Sequence, residues 1–377
     1  MNVLQVNKFY HPEIGGIETV CRQYSNFLSE ENKVIVLTVK KEFSLFDSKD
    51  TVDDTLVIRC ASLGTFLSMP ISLSFFYRYY KLVKWSDVVL LHMPFPLVDM
   101  ALFFTRCLGK KFVLVWHSDI IKQGLVKKLL SPFLKASKKR AARILVTSPN
   151  MRDNSLDLID YRDKISVLPL SIEVKTDIFP VDLPDIRDFR KSVVPENFDG
   201  FFFGRLCYYK GIEFLMKSIL ELKNTGSPVK VVIAGKGEYE DYIANFIKEN
   251  DLDNTYFINR FLSEKEKEAL FLRSSFFLFP SVKDSEAFGI TQLEAMVYKK
   301  PVINTYLNTG VPWVSLHGET GLTVPVNDVD ALVSAIIYLY ENKYETMRLG
   351  ENARRRVIDI FDNNVIKRNL TEIVSDF

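Results

Sequence analysis

The chain reads as an α/β protein made of two doubly wound parallel-sheet domains, and three observations predict this. Short apolar runs alternate with longer segments of helical spacing along most of the 377 residues. The alternation pauses once, over residues 173–197, where Pro180, Pro184 and Pro195 and many charges leave little periodicity. The length suits two cores better than one. A first domain is therefore expected over residues 1–172, a linker over 173–197 and a second domain over 198–360.

Strands are expected in the first half at 3–6, 33–39, 87–92, 111–116, 143–148 and 164–168. Between the first two, Ile17, Val20, Cys21, Tyr24, Phe27 and Leu28 fall on one face of a helix. After the pause, strands are expected at 198–205, 229–234, 255–259, 276–280 and 301–304. The end of the chain reads as helical and charged, and residues 361–377 are expected to pack back on the first domain.

The composition is globular, with 47% hydrophobic and 25% charged residues. A net charge of +2 gives no general basis for a nucleic-acid partner. Cys21, Cys60, Cys107 and Cys207 are far apart and are expected to be reduced and buried, as in a cytosolic protein. His11, His92, His117 and His317 are equally scattered, which argues against zinc. The N-terminus opens on a strand without the pattern of a signal peptide. No run reaches the roughly 18 apolar residues of a membrane span. The nearest, 64–85, is broken by Pro70, Arg78, Lys81 and Lys84. Between residues 122 and 143, Lys122, Lys127, Lys128, Lys135, Lys138, Lys139, Arg140 and Arg143 interleave with Leu125, Leu129, Leu130, Phe133 and Leu134. With the aromatic and basic 64–85 segment, this suggests a surface resting on anionic lipid. A solvated helix face is the alternative.

The most informative stretch is Glu286-Ala-Phe288-Gly289-Ile290-Thr-Gln-Leu-Glu294. It follows a buried strand-like run and opens an apolar helix, the place where α/β proteins gather anions. Carboxylates there need a different partner, such as sugar hydroxyls, and the contrast points to a nucleotide sugar. On this reading Glu286 meets the sugar, and the free amides of Phe288, Gly289 and Ile290 face the sugar and phosphate. Glu294, about one turn or ~6 Å further along the axis, meets a ribose diol. Taken singly, Glu294 is equally a first-turn acid on the helix dipole, and Glu286 a solvated loop acid.

Arg205 and Lys210 end one strand and open the next helix, so that together they can clamp a diphosphate. Alone, they are a weak pattern. Gly235-Lys-Gly237 is either a phosphate loop or a tight turn permitting close packing, and a third glycine is missing. Gly15-Gly16 precedes the first helix, where bare backbone can approach a phosphate. His117 ends a strand at the expected carboxyl edge, either touching a sugar or serving as a hydrogen-bonded strand end, and His92 is similarly placed.

These residues resemble glycosyltransferase family 4, the retaining GT-B enzymes, over almost the whole chain. The resemblance rests on Gly15-Gly16, Trp116-His117, Gly204-Arg205 with Lys210-Gly211, and above all the Glu286 to Glu294 spacing. It implies two Rossmann-like domains facing across a cleft, with the nucleotide sugar held mainly by the second. By resemblance, Arg205 and Lys210 bind the diphosphate, Glu294 the ribose, Glu286 and the 288–290 amides the sugar, and Arg260 or Phe261 the base. His117 and Gly16 close the site from the first domain, and Glu286 and His117 are the candidate catalytic residues. The family needs no metal, and retention by front-side attack needs no nucleophile. Asn308-Thr-Gly310-Val-Pro-Trp313 departs from the broad pattern, which usually has a glycine pair followed by an acid. With the stretch through Gly321, it resembles bacterial mannosyl- or rhamnosyltransferases, a pointer to GDP-mannose that leaves UDP-sugars open.

The expected function is a metal-independent hexosyltransferase at the cytoplasmic face of the inner membrane. Its acceptor would be a lipid-linked oligosaccharide of surface polysaccharide assembly, such as O-antigen or capsule. A nucleotide-sugar epimerase and a non-catalytic nucleotide-sugar-binding protein are the rivals, with a dinucleotide oxidoreductase disfavoured by the incomplete glycine fingerprint.

Overall fold

The computed structural model describes residues 1–13, 15–66, 69–104, 108–119, 124–174 and 186–377, and their side chains except at 66, 103–104 and 124–130. Cys107, Lys122 and residues 175–185 of the expected linker lie outside the described residues. The chain divides into two compact units, Met1–Leu170 with Asn364–Phe377, and Ser171–Asn363.

In the first unit the elements run β1 (Asn2–Val6), α1 (Gly16–Ser29), β2 (Lys33–Val39), β3 (Ser48–Val52), β4 (Thr55–Cys60), β5 (Thr65–Phe66), β6 (Met69–Pro70), α2 (Ser74–Trp85), β7 (Val88–Met93), α3 (Pro96–Phe104), β8 (Phe112–Trp116), α4 (Gly124–Arg140), β9 (Arg143–Val146), α5 (Pro149–Asn154) and β10 (Ile165–Val167). The main sheet has the order β10-β9-β8-β7-β1-β2-β4-β3, parallel except for the β3–β4 hairpin. Every residue of β7 and β8 is buried. Such strands, covered by helices on both faces, read as unbroken apolar runs. The helical stripe predicted between residues 17 and 28 is α1, with Val20, Cys21, Tyr24 and Leu28 inside.

The second unit contains β11 (Gly200–Phe203), α6 (Ile212–Asn224), β12 (Val231–Ala234), α7 (Glu240–Glu249), β13 (Thr255–Ile258), α8 (Glu264–Arg273), β14 (Phe276–Leu278), α9 (Ile290–Val297), β15 (Val302–Thr305), α10 (Val311–Val314), β16 (Gly321–Val324), α11 (Val329–Glu341) and α12 (Lys343–Arg356). Its sheet is wholly parallel, in the order β13-β12-β11-β14-β15-β16. The core gathers Phe202, Leu215, Ile219, Ile233, Phe257 and Ile336. Strand order reverses between β11 and β14, and the crevice beyond the carboxyl ends of such a pair is where ligands bind in open α/β sheets.

The structure redraws the domain boundaries. Residues 186–197 fold onto the second unit, because Asp188 is buried there and accepts the amides of Arg190 and Ser192, each at 2.9 Å. Arg190 pairs with that carboxylate and reaches the carbonyls of Leu252 and Thr255. The last helix, α13 (Asn363–Ser375), belongs to the first unit, where Ile366, Leu370 and Val374 share a cluster with Val3, Tyr24 and Val88.

Candidate functional site

The site is built where the second sheet reverses. The loop after β11 carries Arg205 and, in a short 3-10 turn at Tyr208–Lys210, Lys210. The loop after β14 carries Glu286. A hydrogen bond from the Val282 amide to the Tyr209 carbonyl, 2.8 Å, ties the two loops together. Lys210 Nζ lies 2.6 Å from Glu286 Oε2, with the side chains only 10% and 12% exposed. The ammonium also stands over the Phe279 ring, 4.6 Å from its centroid. Ser281 Oγ donates to the same carboxylate oxygen at 3.4 Å. The first acid is therefore not a solvated loop residue. It is the partner of the cation expected to hold the diphosphate, because the adjacent strands bring their loops to one point.

Gly289 begins α9 in the left-handed region, at φ +79°. A Cβ there would lie 2.5 Å from the Phe279 ring, so glycine is required on both conformational and steric grounds. Among the described residues the amides of Phe288, Gly289 and Ile290 have no acceptor, the free donors of a helix start. The Thr291 hydroxyl beside them is buried and has no partner among the described residues, a feature the sequence reading missed. The Phe288 ring turns away into the core against Phe361 and Trp313, leaving its amide as the group available at the site. Trp313 thus explains the departing 308–313 segment, which has become part of the packing behind the helix start. Buried Gln292 fixes the loop by donating to the Phe288 and Val311 carbonyls, and Asn304 Nδ2 donates to Gln292 Oε1 at 2.9 Å.

Glu294 lies in α9 and is mostly buried, which pushes its carboxyl up, while Lys267 at 2.6 Å pulls it down. Lys267 comes from α8 and was not anticipated as part of the site. Arg205 is exposed and has no hydrogen bond or ion pair among the described residues. Arg260 is committed to Glu266, 2.5 Å away, whose carboxylate also closes the capping box of α8 with Ser263. Its neighbour Phe261 is 83% exposed, so the ring is the freer of the two candidate base contacts. Gly235 and Gly237 are packing glycines: a Cβ on either would fall 1.9 or 2.2 Å from a carbonyl oxygen of the loop after β11.

In the first unit, Gly16 opens α1 and a Cβ there would meet nothing within 4 Å. Its neighbour Gly15 stands against the Glu18 carboxylate. His117, just past β8, is buried and its Nε2 lies 2.9 Å from His92 Nδ1. Burial lowers the His117 pKa from 6.5 to about 4. A histidine with a depressed folded value stabilises the fold fully above pH 6.5, and that contribution is lost as pH falls toward 4. His117→Asn is therefore expected to flatten the acid loss of stability by up to about 3 kcal/mol. Urea midpoints compared near neutral pH and near the folded pKa check this, and equal slopes for the two proteins would refute it.

Two family models match the chain: Glycosyltransferase Family 4 over residues 14–176, and Glycosyl transferases group 1 over residues 186–356. The D-rhamnosyltransferase WbpZ of Pseudomonas aeruginosa is 33% identical over 368 residues, covering 96% of this chain and 92% of that protein. The O-antigen chain mannosyltransferase C of Escherichia coli is 32% identical, covering 96% and 94%. Among solved structures, sucrose-phosphate synthase from Thermosynechococcus elongatus superposes over 100% of this chain and 98% of its own, with a TM-score of 0.75 at 18% identity. Fold and site together define a GT-B glycosyltransferase, two Rossmann-like units with parallel sheets. The chain belongs to glycosyltransferase family 4, its second half matching the group 1 glycosyltransferase domain.

Proposed function

We propose that this glycosyltransferase moves a hexose, mannose from GDP-mannose, onto a lipid-linked oligosaccharide in surface polysaccharide assembly, with retention and without a metal. The observation that carries the site assignment is the Lys210–Glu286 pair together with the three amides at the start of α9 that have no acceptor among the described residues. The full-length similarity to a mannosyltransferase and a rhamnosyltransferase supports the donor class and the pathway.

In this proposal the diphosphate takes Lys210, Arg205 and the amides of Phe288, Gly289 and Ile290. Negative charge grows on the leaving phosphate as the glycosidic bond breaks, and donors fixed beforehand stabilise it most. Glu286, held in place by Lys210 and Ser281, meets the sugar hydroxyls or the positive charge developing on the ring. Glu294, oriented by Lys267, accepts the ribose diol. The base stacks on Phe261, and on the first unit His117 and Gly16 are the residues assigned to sugar contact.

We also place the protein on the anionic cytoplasmic face of the inner membrane. Among the described residues no helix is long and apolar enough to cross a membrane. The supporting surface is α2 and the 41–47 loop: exposed Tyr77 and Tyr80 lie under Lys81 and Lys84, beside exposed Phe43, Leu45, Phe46 and Leu73. The basic 122–143 run supports it less. Lys138 turns inward over Trp116 and Tyr161, Arg140 bonds the Leu102 carbonyl, and Lys122 and the side chains of Lys127 and Lys128 lie outside the described residues.

One experiment tests donor and membrane together: transfer to a lipid-linked acceptor in vesicles, assayed with GDP- and UDP-sugars. GDP-mannose is expected to be the best donor, the product anomer to match the donor, and activity and sedimentation to follow the anionic lipid content. Preference for a UDP-sugar would overturn the donor assignment. An inverted anomer would overturn retention, loss of activity on chelation would overturn metal independence, and equal sedimentation with neutral vesicles would overturn the membrane assignment.

A further inference from the structure

Behind His117 stand two more buried polar side chains, His92 on β7 and Gln5 on β1, followed by Ser25 on α1. They lie where the strand order of the first sheet reverses beside β1. Their hydrogen bonds can be followed from the backbone outward. Ser25 Oγ donates its only proton to the Cys21 carbonyl at 3.0 Å. It must then accept from Gln5 Nε2, 2.9 Å away, which fixes the amide with Oε1 toward His92. That oxygen is 2.9 Å from His92 Nε2 and also faces the Cys21 thiol, a second donor, at 3.7 Å. His92 Nε2 therefore carries the proton. A neutral imidazole has one N–H, so His92 Nδ1 is a lone pair. His117 Nε2, 2.9 Å from it, is then the donor. His117 is left with its own lone pair at Nδ1, which has no partner among the described residues. Burial opposes the doubly protonated form of either ring.

We propose that Gln5 and His92 are positioning residues that lock His117 in the Nε2–H tautomer, so that it presents a hydrogen-bond acceptor at Nδ1 to a sugar hydroxyl. The ligand-facing part rests on the reading of His117 as a sugar contact. The lock itself does not. It selects for a hydroxyl at that point of the sugar and against a group that can only accept.

The chain contains four histidines, so the tautomer can be read by nitrogen NMR on histidine-labelled protein, with assignments from His11→Gln and His317→Gln. The expected result for His117 is a pyridine-type signal at Nδ1 and a pyrrole-type signal at Nε2, with the Nδ1 signal moving toward the pyrrole range when GDP-mannose is added. A pyrrole-type Nδ1 in the ligand-free protein overturns the proposal. Two variants add a kinetic arm. In His92→Asn the amide oxygen replaces Nδ1 and still takes the His117 proton. In His92→Gln the polar end replaces Nε2, keeps the bond to Gln5 and leaves His117 without its acceptor. His92→Gln is expected to lower kcat/KM by about tenfold, and His92→Asn by no more than about twofold. A packing role alone predicts the reverse order, since Asn leaves the larger void, and that order would overturn the lock. The tautomer as assigned, in a protein that transfers no sugar from GDP-mannose, supports the lock and counts only against the donor reading.

Discussion

Lys210→Ala is expected to lower kcat/KM for sugar transfer by about 10²- to 10³-fold, mostly in kcat, the scale seen when one preorganised donor to a developing oxyanion is removed. The same change should cost about 3 kcal/mol of stability, because it leaves the Glu286 carboxylate mostly buried without its cation. The two effects can be separated. In Lys210→Met combined with Glu286→Gln no charge is stranded, so the urea midpoint should return most of the way to wild type while transfer remains lost. Recovery of activity with stability would mean that the pair is a structural ion pair and that the diphosphate is held elsewhere. Glu286→Gln alone separates the roles further: if Glu286 steadies charge on the ring, kcat falls, and if it only positions hydroxyls, KM rises.

Gly235→Ala is expected to destabilise the protein by about 2–4 kcal/mol, one of the larger effects a single methyl can have. Gly235 adopts φ +152°, and its Cβ would lie 1.9 Å from the Gly204 carbonyl oxygen. No side chain can swing away, because the obstacle is backbone held by Gly204 N to Ala234 O and Leu206 N to Lys236 O hydrogen bonds. Relief would have to displace the loop that carries Arg205, so donor affinity should fall along with the urea midpoint. Gly16→Ala is the control: its methyl meets nothing within 4 Å, and stability should change by no more than about 0.5 kcal/mol. Equal midpoints for Gly235→Ala and wild type would show that the two loops can part without loss.

The contrast between these glycines shows what was legible in the sequence. Parallel strands buried on both faces announce themselves, as Val88–Met93 does, because every residue must be apolar or internally bonded. The β3–β4 hairpin was missed because Ser48–Val52 is an exposed edge strand with a polar sequence. The four-residue β16 was missed because it follows directly on the turn at Gly318–Thr320, and the stretch through Gly321 was read as part of a motif and not as a strand. In the site, the acid motif and the Arg205/Lys210 pair were legible as residue types at loop positions. That Lys210 and Glu286 pair with each other was not, since only the adjacency of β11 and β14 brings those loops together. Lys267 was hidden in Glu264-Lys-Glu-Lys267-Glu, which reads as a solvated helix face until the fold sets one lysine against Glu294. Lys138 is the opposite case, counted with a basic surface but turned inward onto two aromatic rings.

The placement of α13 governs the order in which the two cores can be finished. Residues 171–363 emerge from the ribosome after the first 170, yet they hold every strand of the second sheet. The first core takes Ile366, Leu370 and Val374 from beyond the second unit. Translation would therefore leave the earlier-made core open until residues 364–377 have emerged, while the later-made core closes within its own contiguous stretch. The usual order, in which N-terminal domains mature first, would then be reversed. A nascent chain that has emerged only as far as Asn363 would carry a closed second unit tethered to a first unit still lacking Ile366, Leu370 and Val374.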